Sequence, residues 1–276
     1  MRDLSKSTTP SAPIDARAVR RVLERGLAEA AKCTLPRFRS GLSVDNKASS
    51  GFDPVTEADR EAERAIRTVI EEVFPDHGIE GEEFERKLSA SPFAWLIDPI
   101  DGTRAFISGV PVWGTLIGLT QDGHAIAGAM GQPFTGEAFI ASGGRAEYRH
   151  QGKSLPVKSN GAARLADARL SSTSPSMFDS SKSAAAYRSV EARVRVIRYG
   201  LDCYAFCMLA AGHIDLVIEE GLKPFDIVAL IPIIEAAGGV VSDWRGGRAE
   251  GGGQIVAAAN GEIHREVLAL LEPGAD

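Results

Sequence analysis

The run Asp98-Pro99-Ile100-Asp101-Gly102-Thr103 constrains this chain more than any other stretch. It follows the apolar segment 93–97, which reads as a buried strand, so two carboxylates emerge where a strand stops. Gly102-Thr103 lets the backbone turn tightly, and a helix is expected to begin near Gly102. Such a turn aims both acids and a row of backbone N–H groups at one point. Carboxylates hold hard divalent cations, and N–H groups at a helix start hold phosphate oxygens. One short segment carries the parts for metal-assisted phosphate chemistry.

The 276 residues suffice for one large domain or two lobes sharing a site. A formal net charge of -6 disfavours a nucleic-acid or anionic-membrane surface. It would equally repel a phosphorylated substrate unless bound cations reverse the local sign. Cys33, Cys203 and Cys207 are too scattered for a disulfide framework, and Cys203 and Cys207, four apart on a helical pattern, read as packing rather than a zinc site. Residues 1–13 are rich in Ser, Thr and Pro without an apolar core, so a flexible N-terminus is expected rather than a signal peptide. No apolar run approaches the roughly 20 residues needed to span a bilayer, and a cytoplasmic protein is expected.

Helical spacing begins at Ile14 and continues through Ala18, Val19, Val22, Leu23, Leu27 and Ala30. A second helix follows the N-cap Thr56, with Ala62, Ala65, Ile66, Val69, Ile70 and Val73 as its buried stripe and Pro75 closing it. The polar loop 46–54 between them reads as mobile. Short strand-like runs at 112–120, 124–131, 137–141 and 146–150, separated by turn residues, predict an antiparallel meander. Beyond residue 162, strands (168–172, 193–199, 214–219, 254–259) alternate with helices (202–211, 226–237 and one from Glu262). The pattern divides the chain into a metal-binding lobe with an antiparallel sheet, 14–160, and an α/β lobe completing the active site, 161–276.

Each candidate acid has a plainer structural alternative. Glu82 follows the short apolar pair Gly78-Ile79 and otherwise reads as part of an exposed loop. Asp226 stands at the mouth of an apolar helix, where capping and metal binding compete equally. Asp59, in the first turn of its helix, offsets the helix dipole. Glu219 and Glu220 end a strand and either line the same cleft or face water. Trp113, beside proline, reads first as core.

Taken together, the motifs resemble those of the inositol monophosphatase-like family of metal-dependent phosphatases. Val55-Thr56-Glu57-Ala58-Asp59, Gly81-Glu82-Glu83, the segment 95–103, Pro224-Phe225-Asp226, the segment 235–240 and Ala257-Ala258-Ala259-Asn260 appear in the family's order. The resemblance implies an α/β (α+β mixed) fold, a layered α-β-α-β-α sandwich, and commonly a homodimer. It implies two or three magnesium ions held by Glu82, Asp98, Asp101, Asp226 and the carbonyl of Ile100. Gly102 and Thr103 would bind phosphate and position the attacking water, while Lys47 and Asp59 would belong to the mobile loop and the surrounding shell. Within the family, Arg104, Phe106, the segment 110–115 and the segment 199–204 are similar to the histidinol-phosphate phosphatase branch. That substrate is cationic, so Asp202 and Glu219 are expected at the pocket rim against its amino or imidazolium group, with Arg104 close to the phosphate turn.

The oxygen-only ligand set suits magnesium rather than zinc. The expected arrangement is one ion at Glu82 and Asp98 and another at Asp98, Asp101 and Asp226, as in two-metal in-line displacement. Three rivals are weighed against it. A haloacid-dehalogenase-like phosphatase needs acids two apart, whereas Asp98 and Asp101 are three apart, which alters which side chains share a strand face. A sister enzyme acting on inositol or another sugar phosphate keeps the same acids. A non-catalytic metal- and phosphate-binding module would have no physical reason to keep all of them.

Overall fold

The computed structural model describes residues 14–40, 45–46, 54–162 and 164–276. The expected flexible terminus 1–13, Lys47 and the interior of the loop 46–54 lie outside these described residues.

Helix α1 (Ala16–Thr34) is capped by Asp15, which accepts the N–H of Arg17 at 2.8 Å. Val19, Val22, Leu23 and Ala30 form its buried stripe. Strands β1 (Asp45–Asn46) and β2 (Pro54–Val55) pair antiparallel. Helix α2 (Glu57–Val73) starts at Thr56 as expected, and the Asp59 carboxylate accepts the Thr56 N–H at 2.8 Å in a capping box. Val73, expected in the stripe, is 41% exposed, and the next residue, Phe74, packs on that end of the core instead.

There follow β3 (Gly78–Gly81), β4 (Phe93–Asp101), α3 (Thr103–Ile107), β5 (Gly114–Gln121), β6 (His124–Gln132), β7 (Glu137–Ser142), β8 (Arg145–His150) and β9 (Lys153–Pro156). Among the described residues these strands form one sheet of seven in chain order, β3 parallel to β4 and the rest an antiparallel meander. β9 is additional to the expected strands.

The chain continues through β10 (Arg169–Ser172), α4 (Ser181–Glu191), β11 (Val196–Tyr199), α5 (Asp202–Ala210), β12 (Leu216–Leu222), α6 (Pro224–Ile227), α7 (Ile231–Ala236), β13 (Val240–Asp243), β14 (Gly253–Ala258) and α8 (Gly261–Leu271). The five strands order as β11-β10-β12-β14-β13, with β10 parallel to β11 and β12, and β14 antiparallel to both β12 and β13. The helix expected over 226–237 is two helices, because Pro232 has no N–H to return to the Val228 carbonyl. Helix α4 escapes a periodicity search because its middle is Ser- and Ala-rich; Ser180 caps it by accepting the Ser183 N–H at 2.9 Å.

Three buried clusters define five layers. Helices α1 and α2 cover one face of the seven-stranded sheet through Leu23, Ile66 and Ile70 on Trp95, Ile97 and Ile117. Its other face shares a core with α5, α6, α7 and the five-stranded sheet, where Leu116 and Met130 join Phe206, Leu230, Val217 and Ile255. The far side of the five-stranded sheet is covered by α4 and α8, with Tyr187, Val190 and Val267 against Leu170, Ile218 and Val256. This is the expected mixed α/β fold, an α-β-α-β-α sandwich. Among the described residues no helix is long and apolar enough to cross a membrane.

Ile66 is 0% exposed at the centre of the outer layer, whereas Leu88 is 80% exposed. Urea unfolding of Ile66→Ala should show a loss of about 2–5 kcal/mol, and Leu88→Ala a change within about 0.5 kcal/mol.

Candidate active site

Side chains alternate along β4. Trp95 and Ile97 face α1 and α2, so Asp98 points to the opposite face, against which α6 packs. A regular strand would return Asp101, three residues on, to the wrong side. The β4–β5 register shifts between them, from Asp98 opposite Leu116 to Asp101 opposite Gly114, which places one extra residue on β4. That bulge lets two acids of odd spacing share a site. Helix α6 brings Asp226 from the other half of the chain. One carboxylate oxygen from each of Asp98, Asp101 and Asp226 lies within 4.8 Å of the other two.

Each of these acids is aimed by a backbone N–H. Asp98 Oδ1 accepts from Ile100 at 3.0 Å, Asp101 Oδ2 from Cys203 at 2.7 Å, and Asp226 Oδ2 from Lys223 at 2.7 Å. Asp226 is thus both a helix-start acid and a member of the cluster. Glu82 follows β3 with its N–H on the Ile97 carbonyl at 3.2 Å. It lies outside the 4.8 Å group but close enough for its charge to act on Asp98 and Asp226.

The remaining expected residues surround this group. The Ile100 side chain is buried, and its carbonyl accepts the Thr103 hydroxyl at 3.1 Å. Gly102 takes φ of 81° and starts the short helix α3. Arg104 is exposed in the first turn of α3. Asp59 is buried and accepts both the N–H and the hydroxyl of Thr56, so its capping role is real. Asp202 opens α5 with φ of 46° and lies against Gly102, with one oxygen 3.5 Å from the Thr173 hydroxyl. Glu219, expected at the rim, is 2% exposed. Its Oε1 accepts the Thr173 N–H at 2.8 Å and its Oε2 has no hydrogen-bond partner. Thr173, just after β10, is not singled out by the sequence, although the polar run 171–174 across the strand's end is its signal. Cys203 and Cys207 are buried packing residues, as expected.

Burial and mutual repulsion hold these carboxyls above the ordinary carboxylate range. Burial is the largest cause for Asp98 and Asp101, reinforced by Glu82 for the first and by Asp202 for the second. Burial raises Asp226 to about 7 and Asp59 to about 6, with the Glu82 charge adding to both. Glu219 is pushed well up by burial. A set of crowded, oxygen-only acids, Asp98 buried and Asp101 and Asp226 half-buried, fits a hard divalent cation, which would remove the repulsion. The same set without a cation excludes a phosphate dianion.

Because the folded-state pKa of Asp226 is raised, its charge destabilises the fold at pH above about 7, and this penalty fades as pH falls towards about 4. Asp226→Asn should therefore stabilise the cation-free chain at pH 8, by up to about 4 kcal/mol, and leave it nearly unchanged at low pH. Added magnesium should raise the unfolding midpoint of the parent far more than that of the variant. Denaturation curves with chelator and with magnesium, across pH, read both effects; a destabilised variant at high pH refutes the assignment.

Comparison with known proteins agrees with this geometry. The inositol monophosphatase family model matches residues 15–274. The chain is 40% identical over 246 residues to bifunctional phosphatase IMPL2, chloroplastic, of Arabidopsis thaliana, covering 85% of this chain and 69% of that protein. It is 35% identical over 247 residues to a histidinol-phosphatase of Chlorobaculum parvum, covering 89% and 93% respectively. Among solved structures it resembles an inositol monophosphatase from Zymomonas mobilis, with a TM-score of 0.82 at 34% identity, covering 94% of this chain and all of that one. With the fold, the acidic cluster and a full-length family match in agreement, the chain belongs to the inositol monophosphatase family and is a phosphatase.

Proposed function

We propose that this protein is a magnesium-dependent phosphomonoesterase that hydrolyses L-histidinol phosphate to L-histidinol and phosphate. The observation that carries the substrate assignment is the acidic pair beside the phosphate turn. Asp202 lies against Gly102, and Glu219 presents a buried oxygen with no hydrogen-bond partner. Asp202 is half-buried and open to a charge-assisted hydrogen bond from a substrate ammonium or imidazolium group, and the sealed Glu219 favours that cation through its charge. A neutral polyol offers only hydroxyl donors to the same pair. The histidinol-phosphatase of Chlorobaculum parvum supports this reading. The structural likeness to an inositol monophosphatase supports the alternative, a polyol phosphate as substrate.

In this reading Asp98, Asp101, Asp226, Glu82 and the Ile100 carbonyl hold two or three magnesium ions. Bound magnesium supplies charge neutralisation and polarises the phosphoryl group. The chain's own groups do the rest. The N–H groups at the start of α3, after Gly102, orient the phosphate oxygens. The Thr103 hydroxyl, tied to the Ile100 carbonyl at 3.1 Å, aligns the attacking water with the ester P–O bond. Asp59 fixes the start of α2, where its charge and that of Glu82 act on each other. As water adds to phosphorus, the ester P–O bond breaks and the alcohol leaves with a proton.

Phosphate release from histidinol phosphate and inositol 1-phosphate, with and without magnesium, tests the proposal. Histidinol phosphate should be preferred, and faster turnover of the inositol ester would overturn the substrate assignment. Asp101→Asn should lose about 10²–10³ in kcat while remaining folded. Glu219→Gln should lower kcat/KM about tenfold for the cationic ester, and much less for a neutral polyol phosphate. No magnesium-stimulated release across a panel of phosphomonoesters would instead favour a non-catalytic binding module.

A further inference from the structure

Helix α2 carries a second buried acid that the proposed chemistry does not use. Glu63, one turn after Asp59, is 0% exposed. Its Oε1 accepts Nε of Arg67 at 2.7 Å, and its Oε2 accepts the N–H of Glu83 at 2.7 Å. Arg67 reaches on to the carbonyls of Phe84 and Glu85 at 3.3 and 3.2 Å. The Phe84 ring lies under the guanidinium groups of Arg64 and Arg67, at 5.0 and 6.0 Å. Gly81 makes this approach possible, because a Cβ there would stand 2.1 Å from Glu63 Oε1. Segment 81–85 is therefore gripped from both sides, by β4 at the Glu82 N–H and by α2 at the next three residues.

A buried ion pair is weak evidence for stability, and apolar side chains fill such a place at least as well. Burial, with the nearby Glu82 charge adding to it, also disfavours the ionised form of Glu63. What the pair does supply is geometry. Glu82 is the one proposed ligand that no element of regular structure carries, and it stands apart from the three clustered aspartates. We infer that Glu63 and Arg67 are positioning residues for Glu82, holding segment 82–85 so that its carboxylate faces the Asp98, Asp101 and Asp226 group. The inference rests on the reading of Glu82 as a cation ligand.

Calorimetric titration of the cation-free full chain with magnesium tests it without substrate. Arg67→Met should weaken magnesium binding about tenfold. Glu63→Gln, which keeps an acceptor for the Glu83 N–H, should weaken it by less. In a Glu82→Gln background, Arg67→Met should cause no further loss, because the ligand it positions is gone. A folded Arg67→Met protein with parental affinity would overturn the inference. So would multiplicative losses in the double variant, or parental affinity in Glu82→Gln. If Arg67→Met fails to fold, Arg67→Lys, which keeps the charge but not the fork, makes the same comparison. Coupling seen in calorimetry without phosphate release from any ester keeps this inference and removes the functional reading.

Discussion

Mutual repulsion among buried and half-buried carboxylates is the constraint on which the rest of this structure depends. Asp98, Asp101 and Asp226 meet within 4.8 Å, with Glu82, Asp59, Asp202 and Glu219 close enough to act on one another. Ionised acids at such distances, shielded from water, cost several kcal/mol unless protonated or neutralised by a cation. The fold carries that cost in its cation-free state. The surrounding layers must therefore be rigid enough to keep the acids from separating.

One device recurs around the cluster. Asp98, Asp101, Asp226, Asp59, Glu219 and Glu63 each accept a backbone N–H through one oxygen. Such a bond stabilises the ionised form modestly and sets the direction of the carboxyl group firmly. The donors come from loops, element starts and, for Ile100, the bulge of β4, where the N–H groups are not committed to a regular strand ladder. Irregular backbone at the ends of β4, β10, β12 and α5 thus has a physical use.

The layers supply the rigidity. Helices α5, α6 and α7 share one apolar core with both sheets, so Asp226 and the Cys203 N–H are fixed relative to β4. α1 and α2 press on the opposite face, which lets α2 reach the segment after β3 through Glu63 and Arg67. A shift of either helical layer would move one acid relative to the others.

Much of this was legible in the sequence. The stripes of α1 and α2, the Thr56 cap and the meander follow from local periodicity and turn chemistry, which act over a few residues. The break at Pro232 was equally local, but the apolar run 227–234 masked it. The acids 98, 101 and 226 were visible as strand-end and helix-start residues, yet nothing local shows that β4 gains a residue between Asp98 and Asp101. The burial of Glu219 and Glu63 was likewise invisible, because partners such as Thr173 and Glu83 lie 46 and 20 residues away in the chain. By itself, then, the sequence determined most of the helices and strands, with α4, β9 and the break at Pro232 as exceptions, and which acids stand at their ends, since those depend on near neighbours. The tertiary structure alone decided which acids converge, which are stripped of water and which backbone N–H aims each one, because charge and solvation are set by groups far apart in the chain and adjacent only in space.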